Sequence, residues 1–507
     1  MFICLNLDAA RLWRWHLVLL DQLAALPDTH VSVQLAPDPR PLAAAVRLGL
    51  HLERSVSPHH AHPAFTPLTA ADFARWTAQA AAPGLVIDLA ADKIASHPPA
   101  TTLTPFYDGH PGEAAFWAAL LSGKAPALAL HDSDTAAVLG IGLPGLERPL
   151  ALSRSASETI SRVMTGLVKA ASNPPPLRGL SLVTGDSAPV KRPGPTMGLA
   201  RKIAGLGRRT LWHKLVSEPQ WVVAWRRSTG PIGLPPSATL ELSRYHVLPD
   251  DGRRYYADPF LFAHDGRIDL FVEDFPYATG RGVISVCSLG GDGTMSVPRP
   301  VLETSFHLSY PQLIACNGEI WMMPECSMSG KLTLYRAASY PDAWEPAAVL
   351  VDAPLHDATL FVHAGRFWIT AAAQGPAIAP WGSSWDSLNL YSAPALLGPW
   401  TAHSANPVLI DARSARPAGC VFEAGGKLYR PVQDCSSYYG SVLGIAEVTR
   451  LDGEGYGQRV VSAHSFPART RLLGPHTLNR IAIPGGHIEA IDVYGRISDL
   501  RAGGSSV

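Results

Sequence analysis

From Thr239 onward, apolar and polar residues alternate in short runs that close on Asp-Gly, Asn-Gly or Gly-Gly pairs. That is the pattern of β-hairpins, because side chains on a strand alternate faces and these dipeptides suit tight turns. Tyr255–Phe262 passes through Asp265-Gly266 and returns as Leu270–Asp274. The same unit recurs. Tyr310–Ile314 turns at Asn317-Gly318 and returns as Ile320–Glu325, and Asp357–Phe361 turns near Gly365 and returns as Phe367–Thr370. Arg416–Phe422 turns at Gly425-Gly426 and returns as Leu428–Pro431, and a looser copy, His476–Ile481, turns at Gly485-Gly486. Aligning Asp258, Tyr310, Asp357, Arg416 and His476 gives steps of 52, 47, 59 and 60 residues. A strand-built repeat of that length predicts a four-stranded propeller blade, and five copies predict five blades. The aligned residues then begin the innermost strands and face a common channel.

The pattern before this region differs. Phe2–Leu7, Val31–Leu35, Leu85–Leu89 and Ala127–Leu130 read as strands, with helical patterns over Ala9–Leu26, Ala70–Ala82, Gly112–Leu121 and Ser155–Ala171. This alternation predicts a doubly wound α/β domain over residues 1–171. Residues 172–236 read as a linker, broken by Asn173-Pro174-Pro175-Pro176 and Pro193-Gly194-Pro195. Within it, Arg201, Lys202, Arg208, Arg209 and Lys214 among Leu199, Ile203, Leu206, Leu211 and Trp212 predict a basic amphipathic helix over 197–216. Such a helix either docks on anionic lipid or packs its apolar side on the propeller. The propeller is placed at 237–507. Leu240–Leu248 has no place in the hairpin register, and it is expected to complete a fifth blade that is short of a strand.

Composition narrows the function classes. A chain of 507 residues with a formal net charge of zero has room for two or three domains and no global attraction to nucleic acid. Its six cysteines are scattered without a Cys-x-x-Cys pair, so neither a disulfide framework nor a zinc site is expected. The N-terminus lacks a basic segment, and no uncharged apolar run approaches the ~18 residues of a membrane span. The expectation is a cytoplasmic protein, membrane-associated if the 197–216 helix docks on lipid, with no cofactor and no resident metal.

The candidate chemistry lies where the propeller gathers its polar residues. Asp258 and Asp357 begin inner strands, and Glu325, Glu273, Asp274 and Asp434 end return strands. Tyr256, Tyr310, Arg413, Arg416 and His476 stand beside them as substrate-binding candidates; a guanidinium fork suits a carboxylate, a phosphate or a sugar's vicinal hydroxyls. A structural role competes with each: Asp258 as a strand cap or an inter-blade bond, Arg416 as the counter-charge to Asp258 and Asp357. A single histidine, His476, does not make a metal site.

The Asp258-Pro259 start of the first inner strand resembles the furanosidase-type glycoside hydrolases, such as families 43 and 62 and the related invertases. That resemblance implies that Asp258 is base or nucleophile and that Asp357 is the second Asp, on the third blade, tuning its ionisation. The fourth-blade Glu of those enzymes is absent, since Arg416-Pro417 stands there, and Glu325 in Pro324-Glu325-Cys326 is the nearest substitute acid. A broader resemblance rests on Tyr256–Phe260, Phe271–Asp274, Ser309–Gln312, Met323–Glu325, Asp357–Phe361, Gly398–Trp400, Asp411–Gly419 and Gln433–Ser436. These stretches resemble the propeller region of the glucosamine inositolphosphorylceramide transferase family. In plant members that region precedes a separate glycosyltransferase domain, which has no counterpart here, so the transferase activity is not carried over. The resemblance implies a propeller acting on a glycan or glycolipid in envelope polysaccharide or glycolipid metabolism, as a glycosidase or glycosyltransferase. The alternative is a non-catalytic glycan-binding or scaffold protein. Pro105–Gly109 followed by Ala115–Gly123 resembles the formyltransferase N-terminal fold, but Ala100–Thr104 lacks that family's Asn-x-His pair. The expectation there is a retained fold without its chemistry.

Overall fold

The computed structural model describes residues 1–37, 42–56, 62–77, 82–90, 100–133, 138–173, 197, 198, 200, 204, 220–230, 232–374 and 381–495. The basic helix expected over 197–216 falls almost wholly outside these residues. No helix among them is long and apolar enough to cross a membrane. The chain divides into two compact units. One comprises Met1–Leu215 with Gln374–Asp386 and Leu409–Asp411, and the other Val216–Ala373, Ser387–Val408 and Ala412–Val507.

The first unit is α/β. Its strands are β1 (Phe2–Asp8), β2 (His30–Ala36), β3 (Leu85–Asp88), β4 (Thr101–Tyr107), β5 (His110–Pro111), β6 (Leu128–Asp132) and β7 (Val138–Gly142). Its helices are α1 (Arg14–Ala24), α2 (Ala44–Val56), α3 (Glu113–Leu121) and α4 (Leu152–Ala171). The sheet order is β2-β1-β3-β4-β6-β7, with β5 on β4. The first four strands run parallel, as the sequence pattern predicts, but β4–β6 and β6–β7 are antiparallel. The link between β6 and β7 is too short for the crossover that a parallel pair needs. Strand β4 is buried along its whole length, yet its threonines and Pro105 hide it from a hydrophobicity reading. Helix α4 packs Ile160, Val163, Met164 and Leu167 into the core. It also buries Arg162, whose Nε and Nη2 lie 2.9 and 2.6 Å from Asp386 Oδ1, while Gly145 N–H donates to Asp386 Oδ2 at 2.7 Å.

The second unit is a propeller of five sheets. Its chain enters through β8 (Gln220–Thr229), β9 (Ala238–Thr239) and β10 (His246–Val247). Blade one is β11 (Arg254–His264), β12 (Arg267–Pro276), β13 (Val283–Ser288) and β14 (Arg299–Leu302). Blade two is β15 (Ser309–Cys316), β16 (Glu319–Glu325), β17 (Leu332–Ser339) and β18 (Ala343–Val351). Blade three is β19 (His356–His363), β20 (Arg366–Ala372), β21 (Ser387–Ala393) and β22 (Thr401–Ala402), while β23 (Leu409–Ile410) belongs to the first unit. Blade four is β24 (Phe422–Ala424), β25 (Lys427–Asp434), β26 (Val442–Leu451) and β27 (Tyr456–Ser465), and β28 (Leu478–Ile483) and β29 (Gly486–Gly495) belong to blade five.

Four of the five predicted turns have positive φ at both central residues, at Asp265-Gly266, Asn317-Gly318, Ala364-Gly365 and Gly425-Gly426. That is the type I′ geometry that matches strand twist.

Blade five is ordered β10-β8-β29-β28, so an N-terminal strand does complete it, but that strand is β8. The propeller therefore starts at Gln220, inside the stretch read as linker. The run Trp221-Val222-Val223-Ala224-Trp225 is apolar on both faces, as a strand buried between neighbours must be. Of Leu240–Leu248, only His246 and Val247 pair with β8, and Leu242–Arg244 is a 3-10 turn. Just before it, Ala238-Thr239 adds to the outer strand of blade four.

Candidate functional site

The aligned residues of the first three blades share one backbone device. Asp258, Tyr310 and Asp357 have φ of 49, 47 and 48°, and at each the pairing with the return strand skips two residues. A left-handed residue inside a bulge re-aims its side chain and its amide, and it costs about 1–3 kcal/mol in a residue other than glycine. The cost is offset by a repeated contact. Asp492 Oδ2 on β29 accepts the Asp258 N–H at 3.1 Å, and Asp258 Oδ2 accepts the Tyr310 N–H at 3.2 Å. Glu325 Oε2 accepts the Asp357 N–H at 2.9 Å. Each amide is thus held by a carboxylate of the preceding blade, running from blade five to one, one to two, and two to three.

The fourth blade answers with a cation. Arg416 donates Nε and Nη2 to the two oxygens of Asp357 at 2.6 and 3.2 Å, and Gln433 Nε2 adds a bond to Oδ2 at 2.8 Å. Burial pushes the Asp357 carboxyl up and Arg416 opposes it. Three donors converging on an acceptor-only group describe the ionised form. Arg416 also lies 4.9 Å from the Tyr439 ring centroid, and Asp357 helps to hold its guanidinium above its usual range.

The fifth blade supplies His476. Its Nε2 lies 3.2 Å from Asp258 Oδ1 and its Nδ1 2.7 Å from Asp492 Oδ2, with the Trp221 ring tilted against it at 4.0 Å between centroids. Burial lowers its pKa, but the two carboxylates outweigh burial and carry it up to about 10. Asp258, His476 and Asp492 are also the described residues whose ligand atoms, all within 4.8 Å of one another, are able to hold a metal ion. Asp492 and Asp258 already accept the amides of His476, Thr477 and Asp258, and the Thr477 hydroxyl. An imidazolium within ion-pair distance of both carboxylates also fits this donor set.

Two glutamates complete the ring in opposite states. Glu325 Oε1 faces His356 Nδ1 and Ser327 Oγ, both at 3.0 Å, and its Oε2 holds the Asp357 amide. Burial opposes ionisation, but His356 and Arg416 keep this carboxyl well below the usual range. Glu273 lacks an arginine or lysine ion pair among the described residues, and the His476 charge only partly offsets its burial. Tyr255 OH and His307 Nε2 both approach its Oε1 at 3.4 Å. Because His307 Nδ1 accepts the Gly282 N–H at 2.9 Å, its proton sits on Nε2. Burial, then the charges of Asp258 and Glu325, raise the Glu273 carboxyl well above its ordinary value.

Of the residues singled out from sequence, Asp258, Asp357, Glu325, Glu273, Arg416 and His476 therefore meet. Asp274 does not join them, because the pleat turns it to the opposite face, where Arg254 and Ser285 hold it at 2.9 and 2.8 Å. Tyr256 packs with Val223, Trp225 and Leu248 between blades. Arg413 and Asp434 are half-buried, and Asp434 accepts the Ser436 N–H at 2.9 Å. Tyr310 is fully buried, its hydroxyl 2.8 Å from Thr359 Oγ1 and accepting the Gly419 N–H at 2.5 Å. Tyr310→Phe strands that amide, so a loss of about 1–3 kcal/mol in urea titration is expected, with ligand binding unchanged. The residues missed are Tyr255, His307, His356, Gln433, Tyr439 and Asp492. Asp492, an acid inside Ala490-Ile491-Asp492-Val493, carried a readable signal.

Fold and site together define a five-bladed propeller whose axis carries a continuous ring of acids, bases and hydrogen-bond donors. Residues 248–470 match the family described as "Glucosamine inositolphosphorylceramide transferase 1, N-terminal". Glucosamine inositolphosphorylceramide transferase 1 of Oryza sativa subsp. japonica is 35% identical over 206 residues, 40% of this chain and 27% of the relative. Its Arabidopsis thaliana counterpart is 34% identical over 206 residues, 40% of this chain and 26% of its own length. The chain thus spans about a quarter of the length of the curated relatives it matches. Among solved structures, a thermostable family-43 glycoside hydrolase is similar at TM-score 0.31 and 14% identity, covering 40% of this chain and 74% of its own.

Proposed function

We propose that the propeller axis binds and transforms a glycosyl unit of a glycolipid or polysaccharide, with Glu273 as proton donor and Glu325 as its charged partner. The observation carrying this reading is that one ring holds two buried carboxyl groups with unlike neighbours: His356, Ser327 and the Asp357 amide at Glu325, Tyr255 and His307 at Glu273. Burial and nearby charge raise Glu273, while His356 and Arg416 lower Glu325. Acid and base work on a glycosidic bond requires that division. Both donors to Glu273 meet at Oε1, which leaves Oε2 to carry the transferable proton. The roles differ from those suggested by the furanosidase resemblance. Glu325, held by His356, is a poor acid, and the oxygens of Asp258 are taken up by Tyr310, Thr477 and His476. Asp258 and Asp357 are positioning residues in this reading. The relatives named as transferases on inositolphosphorylceramide support a glycolipid substrate.

A second reading is a glycan-binding protein without turnover. It is favoured by how fully Asp258, Asp357 and Arg416 spend their bonds on the fold. Mass spectrometry of products from a panel of furanosides and lipid-linked glycans decides between the two. Turnover is expected in the native chain, with at least a hundredfold loss in Glu325→Gln and a nearly unchanged melt. Saturable glycan binding with no product from the native chain would replace the first reading with the second.

A further inference from the structure

Beyond Glu273, blade one carries a row of aromatic rings. Glu273 and Phe275, two residues apart on β12, share one face of the sheet, and Tyr255 stands opposite Phe275 on β11. The pair lies about 7 Å along the strand from Glu273, two residues at the usual rise. Tyr255 and Phe275 stack with ring centroids 4.8 Å apart and planes 10° from parallel. Tyr277 extends the row from Tyr255, at 6.3 Å, and His307 extends it from Phe275, at 5.9 Å.

The row does not serve the blade interfaces. Those take Tyr256 on one side of the blade and Phe271 on the other, and neither hydrophobic cluster includes Tyr255, Phe275 or Tyr277 among the described residues. Tyr255 and Phe275 are half-buried, and Tyr277 is 47% exposed. The Tyr277 hydroxyl donates to Gln220 Oε1 at 2.6 Å, which fixes the ring in place before any ligand arrives. Position then selects the ligand. The charged neighbours of Glu273 are the axial residues Asp258, Glu325 and His476, whereas Tyr255 and His307, members of the row, approach its Oε1. The site is thus divided into a charged half and an aromatic half. A proton donor works within about 2.6–3.2 Å of the oxygen it protonates, so a leaving group protonated by Glu273 starts within reach of Tyr255. A sugar ring, with C–H groups on its faces and hydroxyls at its edge, fits flat rings tipped by phenol and imidazole groups. A hydrocarbon tail leaves those polar tips unmet.

We propose that Tyr255, Phe275 and Tyr277 form a subsite for a second sugar ring, the leaving group of the reaction, so that the bond acted on joins sugar to sugar within a polysaccharide or glycolipid head group. The proposal rests on the reading of Glu273 as proton donor. In that step the glycosyl C–O bond breaks as its oxygen takes the Glu273 proton, and a water oxygen bonds the glycosyl carbon as Glu325 takes the water's proton.

Isothermal titration tests this with arabinobiose, xylobiose and lactose, each beside the methyl and octyl glycosides of its terminal sugar. It is run on the full native chain and on Glu325→Gln, in which turnover does not disturb the heat. At least one disaccharide is expected to bind saturably and about tenfold tighter than its methyl glycoside, with the octyl glycoside close to the methyl one. Tyr277→Ala should shrink the disaccharide preference to about twofold, and Tyr277→Phe, which keeps the ring, should retain most of it. Phe275→Leu, which keeps an apolar side chain and loses the flat face, should act as Tyr277→Ala does. The exposed Tyr277 decides the matter should Phe275→Leu not fold. Turnover with no preference for a disaccharide, an octyl glycoside that binds as tightly as the disaccharide, or a preference that survives Tyr277→Ala overturns the subsite and leaves the axial chemistry standing. Ring-dependent disaccharide binding by a native chain that yields no product by mass spectrometry overturns the leaving-group role together with Glu273 as acid.

Discussion

Replacing Arg416 with methionine is expected to cost the propeller about 3–5 kcal/mol, read as a fall in the urea midpoint at unchanged slope. Arg416 and Asp357 are both almost fully buried, and the guanidinium covers both oxygens of the carboxylate. Without the fork, Gln433 Nε2 is the side-chain donor left to the Asp357 carboxylate among the described residues, and Glu325, held ionised, lies beside it. An uncompensated buried charge dominates the loss, so Arg416→Met combined with Asp357→Asn should recover much of it. Arg416→Lys should fall between native and methionine variants, because an ammonium keeps the charge and loses the two-pronged geometry. A loss below about 1 kcal/mol in the single variant would mean that solvent reaches the pair and screens it.

Glu273→Gln is expected to reduce turnover by about 10²–10⁴, the range associated with removing a positioned proton donor. The pH profile separates this from a general loss of fit. A carboxyl raised above its ordinary value is protonated, and able to donate, below its raised pKa. Native activity should therefore hold above the usual carboxylate range, about 4.3 for glutamate, and fall as pH rises through the raised value. The residual activity of Glu273→Gln should lack that alkaline limb. Stability moves the same way. The folded state keeps a proton that the unfolded chain releases, so this contribution is complete below the unfolded pKa and lost as pH rises through the folded one. A glutamine never ionises, so the variant's advantage over native should grow with pH. An unchanged alkaline limb in the variant would remove Glu273 from the role of acid.

The repeat was legible because the blades write a similar hairpin closed by a glycine-containing turn, and Asp265-Gly266 and Asn317-Gly318 take the positive φ that such pairs favour between paired strands. The alignment of Asp258, Tyr310 and Asp357 even marked the three left-handed bulges, although nothing in residue type announces that conformation for a tyrosine. Face was harder. Glu273 and Asp274 are adjacent, and only the register of β11 on β12 decides which one meets the ring. The partners His307 and His356 come from loop or edge positions with no periodicity to expose them. Strand β8 was hidden by its surroundings, because Pro-rich and basic stretches on its N-terminal side drew Trp221–Trp225 into the linker.

The way blade five is closed also decides how the propeller responds to force. Strands β8 and β29 run antiparallel over ten paired residues, from Gln220 opposite Gly495 to Thr229 opposite Gly486. A load applied at those two ends meets the ladder one rung at a time, as a zipper does, instead of shearing all rungs together. A wheel that is thermodynamically shut at every spoke should thus be mechanically soft at its clasp, and a translocating unfoldase or an optical trap pulling there would open blade five first.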